Sequence, residues 1–200
     1  WGRGKIILTT RDSNIENNKH VNHVIQVKEL NSAEKLNLFM KIIGIENTSL
    51  FTPVQKEKTK KFLEEIPPFP LDVSIAAYYL KATNITYQKY LESLVTYNKD
   101  FADVQQNLLK EAGDYTKTRY SIIVLSILHL IKTQKDFGDL LLFISLLDSQ
   151  NIPRELLNTY KNNTIVDNFI YNLKKFSLIN KSSHCLDLSL AFSIHRSTQE

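Results

Sequence analysis

The 200-residue chain has a single cysteine, Cys185, so an internal disulfide is excluded, and thiol usage fits a reducing compartment. No apolar run approaches the roughly 20 residues of a membrane span. The longest, residues 120–131, is short and interrupted by Ser121, Ser126 and His129. The N-terminus lacks the charged-then-apolar layout of a signal peptide. No G-x-x-x-x-G-K-[ST] phosphate loop is present: in Gly2-Arg3-Gly4-Lys5 the glycine spacing is wrong and Lys5 is followed by Ile6. No apolar run ends in paired acids, so a magnesium-holding Walker B strand is missing too. The five histidines show no metal-ligand spacing, and internal repeats are absent.

What is there is ordinary for a globular protein: 42% hydrophobic and 23% charged residues, with a net charge of +4 spread along the chain. That balance does not demand nucleic acid or a membrane surface. Trp1 opens the chain without an initiator methionine, and the expectation is an excised piece of a longer protein.

Residues 5–10, Lys-Ile-Ile-Leu-Thr-Thr, form a continuous apolar and β-branched run that predicts a strand buried on both faces. Residues 24–27 predict a second short strand. Two such strands cannot make a sheet alone and are expected to belong to a parallel sheet lying mostly upstream.

Helices follow. Asn31 with Glu34 three residues on predicts a capping box, and Leu36, Phe39, Met40 and Ile43 continue at helical spacing to a C-cap at Gly44. Further helices are expected over 53–65 and 71–82, the latter with Pro70 at its first turn, and around Tyr87, Tyr90, Leu91 and Leu94. Together they predict a four-helix bundle. Residues 98–117 are more polar and predict a joint, with a short helix over 103–111. Beyond it, helices are expected over 119–133 and 137–147, from Ile152-Pro153 onward, and from a cap at Thr164. Strands at 177–179 and 190–194 would flank a polar turn. Helices followed by a β-hairpin is the winged-helix order. The fold class expected is therefore mainly α: the tail of an α/β sheet, a four-helix bundle, then a winged-helix domain with a small hairpin.

Three residues stand out. Arg11 lies past the C-terminal end of the first strand, the edge where α/β sheets bind ligands. It either reaches a phosphate with its donor fork or merely caps the sheet edge. Pro70 either offers a flat apolar ring to an aromatic base or simply starts a helix. His195 either donates to a phosphate oxygen or is a satisfied strand-end histidine. A DNA-reading alternative rests on Asn168, Asn172 and Lys175, which line up on one predicted helix whose cations sit only at its end.

The segments carrying these residues occur in a suggestive order. Gly4-Lys5-Ile6-Ile7-Leu8-Thr9-Thr10-Arg11-Asp12 resembles the sensor-1 strand of NB-ARC ATPases, members of the STAND class of signalling NTPases. Val27-Lys28-Glu29-Leu30-Asn31, followed by Glu34 and Leu38-Phe39, resembles the entry to their first helical module. Pro68-Phe69-Pro70-Leu71 resembles their G-L-P-L motif, with Pro68 in place of glycine and Phe69 in place of leucine. Ser193-Ile194-His195-Arg196 resembles their M-H-D motif in an H-R form, with Arg196 replacing the acid.

The resemblance implies a remnant of the nucleotide-binding domain over 1–28, a helical domain over 29–112 and a winged-helix domain over 113–200. It implies ADP or ATP as ligand, with magnesium in the full-length parent. Arg11 would sense the γ-phosphate, Pro70 would pack on adenine, and His195 would contact the β-phosphate of ADP. The parent would be a cytoplasmic ATPase that opens on nucleotide exchange and forms homo-oligomers. Its N-terminal half would hold the phosphates and a C-terminal repeat array would act as sensor. This chain, without the phosphate loop, is expected to be catalytically inactive and to bind nucleotide weakly or not at all, with no membrane and no nucleic-acid partner. The alternative is a winged-helix nucleic-acid-binding or transcriptional regulatory protein.

Overall fold

Local capping chemistry sets several of the helix starts. The computed structural model describes residues 8–9, 15, 19–21, 23–45, 51–104, 114–180, 191–195 and 198. Helix α1 (Ser32–Ile43) begins at Asn31, whose side-chain oxygen accepts from the N–H groups of Ala33 and Glu34, each at 3.0 Å. Glu34 Oε2 accepts the Asn31 N–H at 2.8 Å, completing the expected box. Gly44 ends the helix at φ 92°, and its N–H donates to Met40 O at 3.1 Å. A Cβ at Gly44 would meet only Lys81 Nζ at 3.7 Å, so the backbone angle, not space, requires glycine.

Helix α2 (Pro53–Glu64) repeats the device with Thr52 and Gln55. Helix α3 (Pro70–Thr83) has no side-chain cap; Pro70 occupies its first turn, where a missing N–H leaves nothing unsatisfied. Helix α4 spans Tyr87–Val104 and α5 spans Asp114–Thr133. Much of the expected polar joint is therefore helical. No glycine or proline interrupts residues 87–104, so nothing in the sequence breaks the helix there. Residues 105–113, with most of the short helix expected there, lie outside the described residues.

The remaining elements are α6 (Asp136–Ser145), β1 (Ile152–Pro153), α7 (Arg154–Tyr160), α8 (Asn163–Lys175), β2 (Ile179–Asn180) and β3 (Ala191–Ile194). Several boundaries differ from expectation: α5 starts at Asp114 and not at 119, α6 ends at Ser145 and not at 147, and β2 is Ile179–Asn180 and not 177–179. The cap of α8 is Asn162, whose Oδ1 accepts the Ile165 N–H at 3.0 Å, and not Thr164, which already lies inside the helix. The helix expected from Ile152-Pro153 is α7, with Pro153 as its N-cap, and the same two residues also form a strand that pairs antiparallel with Phe192 and Ala191. Pro153 is tolerated because β1 is an edge of the sheet order β1-β3-β2. On the other side β3 pairs antiparallel with β2, Ile194 opposite Ile179.

The two strands expected near the N-terminus are not seen among the described residues. Residues 24–27 form no strand; Ile25 and Val27 are 78% and 94% exposed. Nothing among the described residues pairs with them, and the partner strands expected for them are not among the described residues. Of the strand expected over 5–10, only Leu8 and Thr9 are described, exposed and outside regular structure. Arg11 lies outside the described residues.

The chain is mainly helical, with a small antiparallel sheet. Helix α1 packs on α2 and α3, and both α3 and α4 pack on α5. Phe39, Phe62 and Tyr87 interlock near α1, α2 and α4, with Phe62 and Tyr87 stacked at 4.5 Å. Farther along, Phe137 of α6 meets Phe169 of α8 at 5.4 Å, over buried Leu140, Leu157 and Leu173. His129 bridges the two regions between Tyr79 and Phe176, with 5.6 Å to each ring. One apolar cluster thus extends from Leu36 to Ile194.

Candidate functional site

Four parts of the fold converge on a cavity of about 740 Å³. The first is the Pro-rich turn before α3. Leu30 N donates to Pro68 O at 2.8 Å and Phe69 N donates to Pro67 O at 2.8 Å, while buried Lys35 donates its ammonium to the Ile66 carbonyl. These bonds fix the turn, so Phe69, Pro70, Leu71 and Ser74 form one wall.

The second part is Arg119 of α5. Its Nε and one Nη reach both carboxylate oxygens of Asp72 in the first turn of α3, at 2.9–3.2 Å. The same guanidinium lies 4.7 Å from the Phe69 ring centre. The Asp72 side chain is wholly buried and that of Arg119 is 28% exposed. Burial pushes the Asp72 carboxyl above its ordinary range, and the Arg119 hydrogen bonds pull it back down without cancelling the shift.

The C-terminal end of α8 is the third part. Ser177 N donates to Lys174 O at 3.0 Å and Leu178 N to Leu173 O at 2.9 Å, the reversal that usually places glycine in the left-handed region. Here the residue is Ser177, at φ 57°, and it lines the cavity beside Lys174 and Ile179. A side chain in that conformation costs about 1 kcal/mol relative to glycine.

The fourth part is His195, just past β3. Ile194 N donates to Ser149 O at 2.9 Å, and His195 N donates to Leu178 O at 3.3 Å, setting the imidazole at the cavity wall. Burial lowers its pKa below the ordinary 6.5, Arg119 acts in the same direction, and Asp72 opposes. That shift favours the neutral ring at pH 7, a form that offers one N–H donor and one acceptor nitrogen.

Pro70 and His195, singled out from distant parts of the sequence, line the same cavity. Arg119 with its partner Asp72, and Ser177, complete the cavity and lie outside the motif resemblance, and Lys174, a cation at the end of the helix weighed for DNA reading, lines it too. A usable signal existed: Asp72 is the only acid in the apolar stretch 71–82, and Arg119 is the cation that opens the apolar run 120–131. Opposite charges beside two largely apolar stretches are a candidate buried pair.

The cavity combines an apolar turn with Arg119, Lys174, a neutral imidazole and two hydroxyls. That donor set suits a ligand with one flat apolar part and one anionic part, and the volume falls in the roughly 300–1,000 Å³ range of small-molecule sites. Among the described residues no three His, Cys, Asp or Glu side chains gather to hold a metal. No described helix is long and apolar enough to cross a membrane. Compared with protein-family models and with curated proteins, the sequence matches none of them.

Proposed function

We propose that this chain is the regulatory segment of an NB-ARC-type STAND ATPase and that its cavity is the part of the nucleotide site that distinguishes ADP from ATP. The observation that carries the reading is the meeting of Pro70 and His195 in one cavity, across helices α3, α5 and α8. In this reading α1 to α4 are the helical domain. Helices α5 to α8 with the paired β2 and β3 are the winged-helix domain. The Pro70 ring takes the adenine and the neutral His195 donates to the β-phosphate of ADP. Arg11 reads the γ-phosphate of ATP, and magnesium is held by the parent's upstream half.

A nucleotide moves a closed–open equilibrium only by its differential affinity for the two states. ADP contacts to both the α3 turn and the β3 end stabilise the closed form. Losing the His195 contact on exchange favours opening and assembly of the parent. The segment by itself performs no hydrolysis.

The nucleic-acid reading has less behind it. Asn172, one of the three residues on its proposed reading stripe, donates its amide to Asn168 O at 2.8 Å on its own helix. A salt-dependent association with duplex DNA would revive it.

The test is a titration of the chain with ADP and ATP, followed by calorimetry and amide NMR. The reading predicts weak, saturable ADP shifts around Pro70 and His195 that ATP reproduces less well. Tight binding of either nucleotide to this segment alone, or shifts confined to another surface, would overturn it.

A further inference from the structure

We infer that Arg119 is the anion anchor of this cavity, held ready by Asp72 and Phe69, and that the anionic part of the ligand is a phosphate or pyrophosphate group. The inference rests on the cavity being a nucleotide site, and it adds a contact on α5 that the sequence resemblance does not assign.

Three observations support it. The guanidinium is fixed in place: Nε and one Nη hold the Asp72 carboxylate, while its central carbon lies over the Phe69 ring, 4.7 Å from the centroid. Nη1 takes no part in the bonds to Asp72, and Arg119 lines the cavity, so donors remain on the accessible side of a planar fork. The charge is graded by depth, with the carboxylate fully buried behind and the guanidinium partly exposed in front. A ligand therefore meets the positive end of the pair. Lys174, in the last turn of α8, adds a second cation across the cavity.

Preorganisation matters here because Arg119 loses little rotamer freedom when an anion arrives. Lysine would keep the charge, yet it has no fork to bond Asp72 and the ligand together. An anion seated on Arg119 also joins α3 to α5, so occupancy of the cavity is felt at the junction of those two helices.

The test uses inorganic pyrophosphate, ADP and adenosine as separate probes on the whole chain. The readouts are the Arg119 Nε–H resonance and the amides of Lys174, Ser177 and His195. The expected result is saturable pyrophosphate binding that Arg119→Gln weakens by about tenfold or more, the worth of one charge-assisted hydrogen bond. Arg119→Lys should lose most of that affinity, and Lys174→Gln only about twofold, as an exposed charge. Adenosine shifts should survive all three.

Should Arg119→Gln fail to fold, Asp72→Asn/Arg119→Gln supplies a neutral pair in its place, and the same loss is expected. Unchanged pyrophosphate affinity in Arg119→Gln or the double variant, or full affinity in Arg119→Lys, would overturn the inference. Arg119-dependent pyrophosphate binding with no added affinity for ADP would leave the anchor standing and remove the nucleotide reading. ADP binding indifferent to Arg119 would do the reverse.

Discussion

Replacing Arg119 by glutamine strips the cation from a carboxylate that water does not reach. The Asp72 side chain is fully buried, and its contacts to Arg119 lie at 2.9–3.2 Å. Breaking a buried pair from one side costs about 3–5 kcal/mol, because the remaining charge is left uncompensated. Glutamine can return one neutral hydrogen bond, worth about 1 kcal/mol. The net loss is therefore about 3 kcal/mol, which lowers Tm by roughly 6–12 °C in a chain of this size.

The loss should depend on pH. Asp72 has a native pKa above its unfolded value of 3.8. Its contribution is fully present below that value and is lost as pH rises through the native pKa. Without Arg119 the native pKa rises further, so the variant's deficit should be largest near pH 7 and shrink as pH falls toward 4.5. Urea unfolding at the two pH values measures this directly. Asp72→Asn/Arg119→Gln should recover at least half of the single variant's loss, because no charge is left behind. A deficit below about 0.5 kcal/mol, or one that is the same at both pH values, would refute the picture of a buried pair.

Four further outcomes follow from the geometry. Gly44→Ala forces a β-carbon into the left-handed region and should lose about 1 kcal/mol by denaturant unfolding, with no packing change since the nearest atom is 3.7 Å away. Ser177→Gly should gain about 1 kcal/mol by the opposite logic while weakening ADP-induced shifts, the trade expected where a strained residue serves a site. Because the native His195 resists protonation, stability should fall as pH drops below about 6.5; His195→Gln should reduce that acid-side loss in urea midpoints, with His129, lowered likewise, supplying the remainder. Phe169→Ala opens a cavity against Phe137 and should cost about 3–5 kcal/mol by the same unfolding assay.

Legibility followed the range of the interactions. The caps at Asn31 and Gly44, and Pro70 at a helix start, are set by residues within four positions, and these were readable. Pro153 is legible as the opener of α7, whereas its second role, in the edge strand beside β3, depends on partners nearly forty positions away. The apolar residues 24–27 had strand propensity without a partner to express it. Asn162 displaced Thr164 as a cap because both residue types can cap, and only the backbone decides between them. At the site, Pro70 and His195 were visible through motif resemblance. Asp72 and Arg119 were not, since nothing in the sequence records that α3 and α5 lie side by side.

The central claim is that one cavity holds the two ends of a nucleotide, its base at the α3 turn and its phosphates at the β3 end. Intermolecular NMR contacts between bound ADP and the isotope-labelled chain test that most directly. The account predicts contacts from adenine protons to the Pro70 ring, with His195 and Arg119 side-chain resonances moving along the same saturation curve. Adenine contacts at a different surface, or a titration that moves His195 without any contact at Pro70, would contradict it.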